Sequence, residues 1–146
     1  MLAIRDLSVF YGDAQALDGV SLEVGTGQVV ALVGANGAGK TSLIRTVAGI
    51  LKPRSGSIVF DDHAIGGLDS HRICDLGIGQ VAEGRQVFPS MSVLENLQVG
   101  AMLPRARAQA AVTLERVFAM FPKLRERATQ HAGTLSGGEQ QMLAIG

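Results

Sequence analysis

Apolar and polar positions alternate over short stretches in the first half of the chain. Leu2 to Tyr11 alternates loosely and Val20 to Val24 cleanly, which predicts two half-buried strands. Val29 to Val33 is apolar throughout and rich in β-branched residues, a pattern typical of a strand buried on both faces. Ser57 to Phe60 and Ile78 to Val81 predict two more strands.

Helical patterns occupy most of the remaining chain. Ser92 and Glu95 have the spacing of a capping box and predict a helix that extends to about Val99. The other helices are predicted from apolar periodicity and from the breakers Gly49 and Pro122. They cover Lys40 to Ala48, Ser70 to Leu76, Ala106 to Phe121 and the first part of Lys123 to Gln130.

Composition excludes several classes of protein. The 13 basic and 13 acidic residues balance, so nucleic acid is not predicted as a partner. The single cysteine, Cys74, cannot form an internal disulfide and suits a reducing compartment. Apolar runs are shorter than the roughly 20 residues of a spanning helix, and Arg5 and Asp6 stand where a signal peptide would be apolar. Any membrane contact is therefore expected to be peripheral.

A glycine-rich segment between the third predicted strand and the first predicted helix matches the phosphate-loop pattern G-x-x-x-x-G-K-[ST]. Glycines let the backbone approach a polyphosphate, and the following helix directs its positive end toward it. Lys40 is predicted to reach the β- and γ-phosphates, Thr41 to bind Mg²⁺ and Ser42 to reach the α-phosphate. The predicted site comprises Gly34, Ala35, Asn36, Gly37, Ala38, Gly39, Lys40, Thr41 and Ser42. A glycine-rich turn that matches by chance is the alternative, which the flanking strand and helix disfavour.

A second motif, Leu135 to Gln141, reads L-S-G-G-E-Q-Q. Ser136 and Glu139 again have capping-box spacing, but two glycines lie between them, and each costs a helix about 1 kcal/mol relative to alanine. That cost indicates that something approaches the backbone closely at this helix end. Combined with the phosphate loop, the motif is identified as the signature of the ATP-binding cassette (ABC) ATPases. The resemblance covers the whole chain.

This resemblance implies an α/β fold, a P-loop NTPase of ABC type, with a mixed sheet and an inserted helical subdomain, incomplete at its C-terminus. It divides the chain into a nucleotide-binding core (1–83), a helical subdomain (84–135) and the signature motif with the start of its helix (135–146). It implies ATP and Mg²⁺ as cofactors and a second ABC ATPase subunit in a head-to-tail dimer. In that dimer the residues that contact the ATP of the other subunit would be Ser136, Gly137, Gly138 and Glu139.

Two further positions match the family's site. Tyr11 is similar to the aromatic residue that stacks on adenine, although an ordinary tyrosine at a strand end is the alternative. Glu83 stands where most of the family has a glutamine that senses Mg²⁺ and the membrane partner. A carboxylate is also a good Mg²⁺ ligand, so Thr41 and Glu83 are the predicted metal ligands.

The resemblance also implies catalytic residues that do not occur up to Gly146: an aspartate and a glutamate after an apolar strand (Walker B), and a later histidine. We therefore predict no catalytic residue within the sequence and expect it to be a fragment of a longer gene product. The isolated chain is expected to fold poorly, bind ATP weakly and not hydrolyse it. The histidines His63, His71 and His131 lack metal-ligand spacing.

Glu83 followed by Gly84 and Arg85 is similar to the ATPases of branched-chain amino acid importers, although Ala82 departs from the usual proline. This implies an energy-coupling ATPase, peripheral on the cytoplasmic face of the inner membrane. Its partners would be transmembrane permease subunits and, indirectly, a substrate-binding protein. The alternatives are a urea or short-chain-amide importer, a soluble cassette acting in DNA repair or translation, and a non-catalytic nucleotide-binding remnant. The charges from Lys123 to Arg127 are predicted to form a solvated face; the alternative is that they belong to the helical region that touches the membrane subunit.

Overall fold

The computed structural model describes residues 1–84 and 86–146. They form two compact units, Met1–Gln80 and Val81–Gly146. The finer division at residues 83 and 135 that the sequence suggests stays a prediction.

An antiparallel sheet of four strands, in the order β2-β1-β3-β4, forms the framework of the first unit. The central strand β1 pairs with β2 on one side and with β3 on the other, so that Leu2 lies between Val24 and Phe60. The alternation along β1 is reflected in its burial, since Ile4, Leu7 and Val9 are all inaccessible to solvent. The strands are β1 (Leu2–Tyr11), β2 (Ala14–Val24), β3 (Ser55–Phe60) and β4 (His63–Ala64).

Two helices complete this unit, α1 (Lys40–Val47) and α2 (Ser70–Asp75). Leu43 of α1 and Ile73 of α2 join the buried strand residues in one hydrophobic cluster. Gly49, just after α1, has a φ of 74°, as expected of a glycine that ends a helix. The packing of α1 on this core holds its first turn, and hence the end of the phosphate loop, in place.

Two predicted strands are not formed. Val29 to Val33 and Ile78 to Val81 have no strand ladder among the described residues. The side chains at both ends of the first segment are almost fully exposed, with Val29 at 98% and Val33 at 93%. A strand exists only where a neighbouring strand satisfies its backbone groups, and no described residue pairs with either segment. The prediction of a buried strand from Val29 to Val33 and of a strand from Ile78 to Val81 was therefore wrong.

The described part of the second unit is helical. Its helices are α3 (Val93–Gly100), α4 (Pro104–Arg107), α5 (Ala110–Met120), α6 (Pro122–Glu126) and α7 (Gly137–Ile145), with a 3₁₀ turn at Ala132–Thr134. Val93 of α3, Leu124 of α6 and Leu143 of α7 belong to one buried cluster. None of the helices in the described residues combines the length and apolar character that crossing a membrane would require.

The single helix predicted from Ala106 to Phe121 is instead two. Pro104 begins α4, since proline lacks the N–H that a first helical turn leaves unpaired anyway. The chain then leaves the helical conformation at Gln109, whose φ and ψ are −118° and 8°, and α5 starts at the next residue. The predicted stop is confirmed, because α5 ends at Met120 and Pro122 opens α6.

Candidate functional site: a phosphate loop and a signature helix

The phosphate loop runs from Gly34 to Gly39 and passes directly into α1. Ala38 N–H donates to the Ala35 carbonyl at 3.2 Å, which closes a turn inside the loop. Gly37 and Gly39 have φ of 87° and 84°, in the left-handed region that favours glycine. A Cβ on Gly39 would lie 2.6 Å from Leu17 Cδ2 and 2.7 Å from the Ala16 carbonyl oxygen. The loop therefore approaches β2 so closely that only glycine fits at its last position.

Lys40 places its charge against the loop itself. Its ammonium Nζ donates to the carbonyls of Gly34 at 2.8 Å and Ala35 at 2.7 Å. No side chain caps the N-terminus of α1, because its N-cap residue is Gly39. The first N–H groups of α1 have no partner within the helix, and the positive end of its dipole lies there beside the Lys40 ammonium. Together these features favour the binding of a polyphosphate.

The first turn of α1 also carries Thr41 and Ser42. Ser42 is buried, and its carbonyl accepts from the Thr46 hydroxyl at 2.7 Å. The hydroxyl oxygens of Tyr11 and Ser42 are 3.3 Å apart, so the end of β1 lies beside the predicted α-phosphate ligand. Tyr11 is 45% exposed, which leaves part of its ring accessible for stacking.

The oxygen donors fit Mg²⁺ by their chemistry. Thr41 is exposed on the first turn of α1, directly after the lysine, and its hydroxyl is a hard oxygen donor. Glu83 is exposed in a turn with Gly84, whose φ is 82°. Thr41 belongs to the first unit and Glu83 to the second, so their joint role as metal ligands stays a prediction. Arg85, which follows Glu83 and Gly84 in the stretch similar to branched-chain amino acid importers, lies outside the described residues.

The signature motif forms the start of α7, with the predicted capping box. Glu139 N–H donates to Ser136 Oγ at 3.4 Å, and Ser136 N–H donates to Glu139 Oε2 at 2.9 Å. Hydrogen bonds to this carboxylate from the Ser136 side chain and then from the Ser136 backbone N–H hold the pKa of the Glu139 carboxyl below its usual value, and the Arg127 guanidinium adds a smaller effect. A Cβ on Gly138 would meet nothing within 4 Å, so no contact among the described residues requires glycine there.

Sequence reasoning missed two contacts at these motifs. The hydroxyl contact of Tyr11 with Ser42 spans 31 positions. Arg127 Nη1 donates to Glu139 Oε2 at 3.1 Å, although the sequence assigned this arginine to a solvated face. No local spacing signals either contact, because both depend on how distant elements pack. Within the described residues, no group of three or more His, Cys, Asp or Glu residues could hold a metal ion.

Comparison with known proteins gives the same family over the chain. The family model described as ABC transporter matches residues 17–146. The high-affinity branched-chain amino acid transport ATP-binding protein BraG of Pseudomonas aeruginosa is 46% identical over 146 residues, which are 100% of this chain and 62% of BraG. The chain thus spans less than two thirds of that relative.

Solved structures agree on the fold. The ADP conformation of MJ1267, an ATP-binding cassette of an ABC transporter, has a TM-score of 0.81 and 29% identity, covering 99% of this chain and 62% of that one. The dimeric structure of MJ0796, a bacterial ABC transporter cassette, has a TM-score of 0.77 and 26% identity, covering 99% of this chain and 67% of that one. The predicted fold class is therefore confirmed, and with a family match that includes both the phosphate loop and α7, the chain belongs to the ABC transporter family.

Proposed function

We propose that this chain belongs to the ATP-binding, energy-coupling subunit of an ABC importer for branched-chain amino acids. The observation that carries the proposal is the pairing of two motifs, the Lys40 loop and the capped signature helix, in one family-matched chain. Identity of 46% to BraG along the full chain supports the substrate class. ATP hydrolysis by the whole protein would drive transport.

Each site residue has a specific proposed task. The Tyr11 ring stacks on adenine, the loop from Gly34 to Gly39 surrounds the phosphates, and Ser42 donates to the α-phosphate. Lys40 exchanges the two carbonyls that it now contacts for the β- and γ-phosphates. Mg²⁺, when bound, neutralises phosphate charge, and Thr41 and Glu83 provide oxygen ligands for it.

The proposed partners follow from the signature helix. At the start of α7, Ser136 and Gly138 are exposed and Gly137 and Glu139 are partly buried. We propose that this helix start meets the ATP on a second cassette in a head-to-tail dimer. The dimeric structure of the cassette MJ0796 supports the pairing of two cassettes. Transmembrane permease subunits would hold the dimer at the cytoplasmic face of the membrane, with a substrate-binding protein as an indirect partner.

Replacing Lys40 tests the nucleotide site. We expect Lys40→Ala to weaken ATP·Mg²⁺ binding by at least about tenfold, because it removes the cation that faces the phosphates. Isothermal titration calorimetry on the whole protein measures this affinity. The fold should remain, since the two hydrogen bonds of the lysine among the described residues are to carbonyls of its own loop.

Lys52 provides the matched control. Its ammonium also donates to two carbonyls, those of Gly67 at 3.1 Å and Leu68 at 2.8 Å, but outside the phosphate loop. Lys52→Ala should therefore bind ATP like the wild type. Equal affinities for the wild type and Lys40→Ala would overturn the proposed nucleotide site.

A further inference from the structure

Arg127 differs from the other charged residues of its segment. Lys123 pairs with Glu126 and Arg125 with Glu115, and all four side chains are more than half exposed. Arg127 instead pairs with Glu139, whose side chain is only 14% exposed. The Arg127 side chain is 39% exposed. Charge-assisted hydrogen bonds gain strength as solvent is excluded, so this pair is less screened than the two surface pairs.

The same carboxylate oxygen connects Arg127 to the signature motif. Glu139 Oε2 accepts from Arg127 Nη1 at 3.1 Å and from Ser136 N–H at 2.9 Å. The backbone of Arg127 is fixed, since its N–H donates to the Lys123 carbonyl at 3.2 Å and its carbonyl accepts from Gln130 N–H at 2.9 Å. A guanidinium at the C-terminal end of α6 thus holds the side chain that caps the start of α7.

The two helices cannot easily shift relative to each other around this contact. Leu124 of α6 is fully buried and Leu143 of α7 is 4% exposed, and both belong to the core of the second unit. Because that core holds the two helices, Arg127 affects the side-chain rotamer of Glu139 and not the position of the helices. A carboxylate without the guanidinium could turn toward water and leave the Ser136 N–H uncapped.

We propose that Arg127 is a positioning residue of the signature motif. It holds Glu139 in the rotamer that caps Ser136, and so fixes the first turn of α7 in the conformation that meets a nucleotide. This inference rests on the proposed function, because the nucleotide is the ATP bound by the opposite cassette. Arg127 touches no nucleotide in this proposal and acts only through Glu139.

A double-mutant cycle in the whole protein tests the proposal. Each variant is measured alone and mixed with the second cassette of the proposed dimer. Arg127→Ala should weaken ATP-dependent association of cassettes by about tenfold, measured by analytical ultracentrifugation, while ATP affinity of the isolated subunit stays unchanged. Arg127→Lys should recover part of the loss, since lysine restores the charge without the guanidinium geometry. In a Glu139→Gln background, Arg127→Ala should cost less than about twofold, because the guanidinium holds a neutral amide much more weakly than a carboxylate.

Arg125→Ala is the matched control for a merely structural role. Arg125 lies in α6, two positions before Arg127. Its replacement removes the pair with Glu115 and the contact of the guanidinium with the Phe118 ring, both in α5 and away from Glu139. It should lower the melting temperature and leave ATP-dependent association intact. Equal effects of Arg125→Ala and Arg127→Ala on association, or an Arg127→Ala effect that persists in Glu139→Gln, would overturn the inference.

The wild type separates this inference from the function on which it rests. A wild type that binds no ATP, or that never associates in its presence, overturns the proposed function together with the inference. A wild type that associates with ATP while Arg127→Ala associates equally well overturns the inference alone.

Discussion

Two glutamates of the second unit cap helix starts in the same way. Ser92 N–H donates to Glu95 Oε2 at 2.7 Å, as Ser136 N–H does to Glu139 Oε2 at 2.9 Å. In both cases hydrogen bonds from the serine stabilise the charged carboxylate and hold its pKa below the usual value. Only the Glu139 carboxylate also accepts a hydrogen bond from a guanidinium, that of Arg127. The two capping boxes therefore have the same sequence spacing but differ in this additional contact.

The lowered pKa of Glu139 predicts a pH dependence of stability. The folded-state pKa lies below the unfolded value of about 4.3, so the stabilisation is fully present above that pH. As the pH falls below that value toward the folded pKa, the unfolded chain binds its proton first and the free energy of unfolding decreases. Urea unfolding between pH 6 and pH 3 should show this decrease, and Glu139→Gln should flatten it.

Glu126→Gln is the control for this titration. The Glu126 carboxylate pairs with Lys123 on the surface and caps no helix. The free energy of unfolding of Glu126→Gln should depend on pH as that of the wild type does. A Glu139→Gln profile as steep as that of the wild type would show that the capping carboxylate does not contribute to the acid sensitivity.

At the scale of whole elements, the signals that worked were local ones. The bounds of β1, the capping boxes of α3 and α7 and the start of α1 depend on residues within a few positions of one another. The phosphate loop is likewise one continuous stretch, so its members could be named from the sequence. Its approach to β2, which makes Gly39 indispensable, could not, because it requires the packed sheet.

The predictions that failed depend on neighbours instead. Val29 to Val33 has the composition of a buried strand but no pairing partner among the described residues. The break between α4 and α5 falls at Ala108 and Gln109, which have good helix propensity and carry no glycine or proline signal. Arg127 lies 12 positions from Glu139, beyond any helical spacing, so its contact with the signature motif had no sequence signal.

Two glycines of the phosphate loop should respond differently to alanine. Both have left-handed φ, but a Cβ on Gly37 would meet nothing within 4 Å, whereas one on Gly39 would strike Leu17 and the Ala16 carbonyl. Gly37→Ala should cost only backbone strain, about 1 kcal/mol in the free energy of unfolding. Gly39→Ala should cost more, about 2–4 kcal/mol, and also abolish ATP binding, because the loop must move away from β2.

Thermal unfolding and calorimetric titration with ATP measure both effects on each variant. The comparison isolates steric fit, since the two positions have nearly the same left-handed φ and receive the same methyl group. Equal losses of stability at the two positions would contradict the close approach of the loop to β2.

For the molecule as a whole, the two motifs belong to separate cores. The phosphate loop precedes α1 of the first unit, whose cluster includes Ile4 and Leu43, and the signature helix contributes Leu143 to the cluster of the second. In the proposed dimer these motifs act on ATP, and the transported solute passes through the permease. The identity of the solute would therefore depend on the assembled importer, and uptake by cells is the measurement that tests the proposed substrate class.

Cells that lack this gene should lose import of radiolabelled leucine, isoleucine and valine, because the permease would have no source of energy. The wild-type gene and Lys52→Ala should restore uptake, and Lys40→Ala should leave it at background although immunoblots show the protein present. Urea and acetamide uptake, measured in the same cells, should be unaffected. Loss of urea uptake with leucine uptake intact would replace branched-chain amino acids by short-chain amides as the substrate class, while the dependence on Lys40 would still support ATP-driven import.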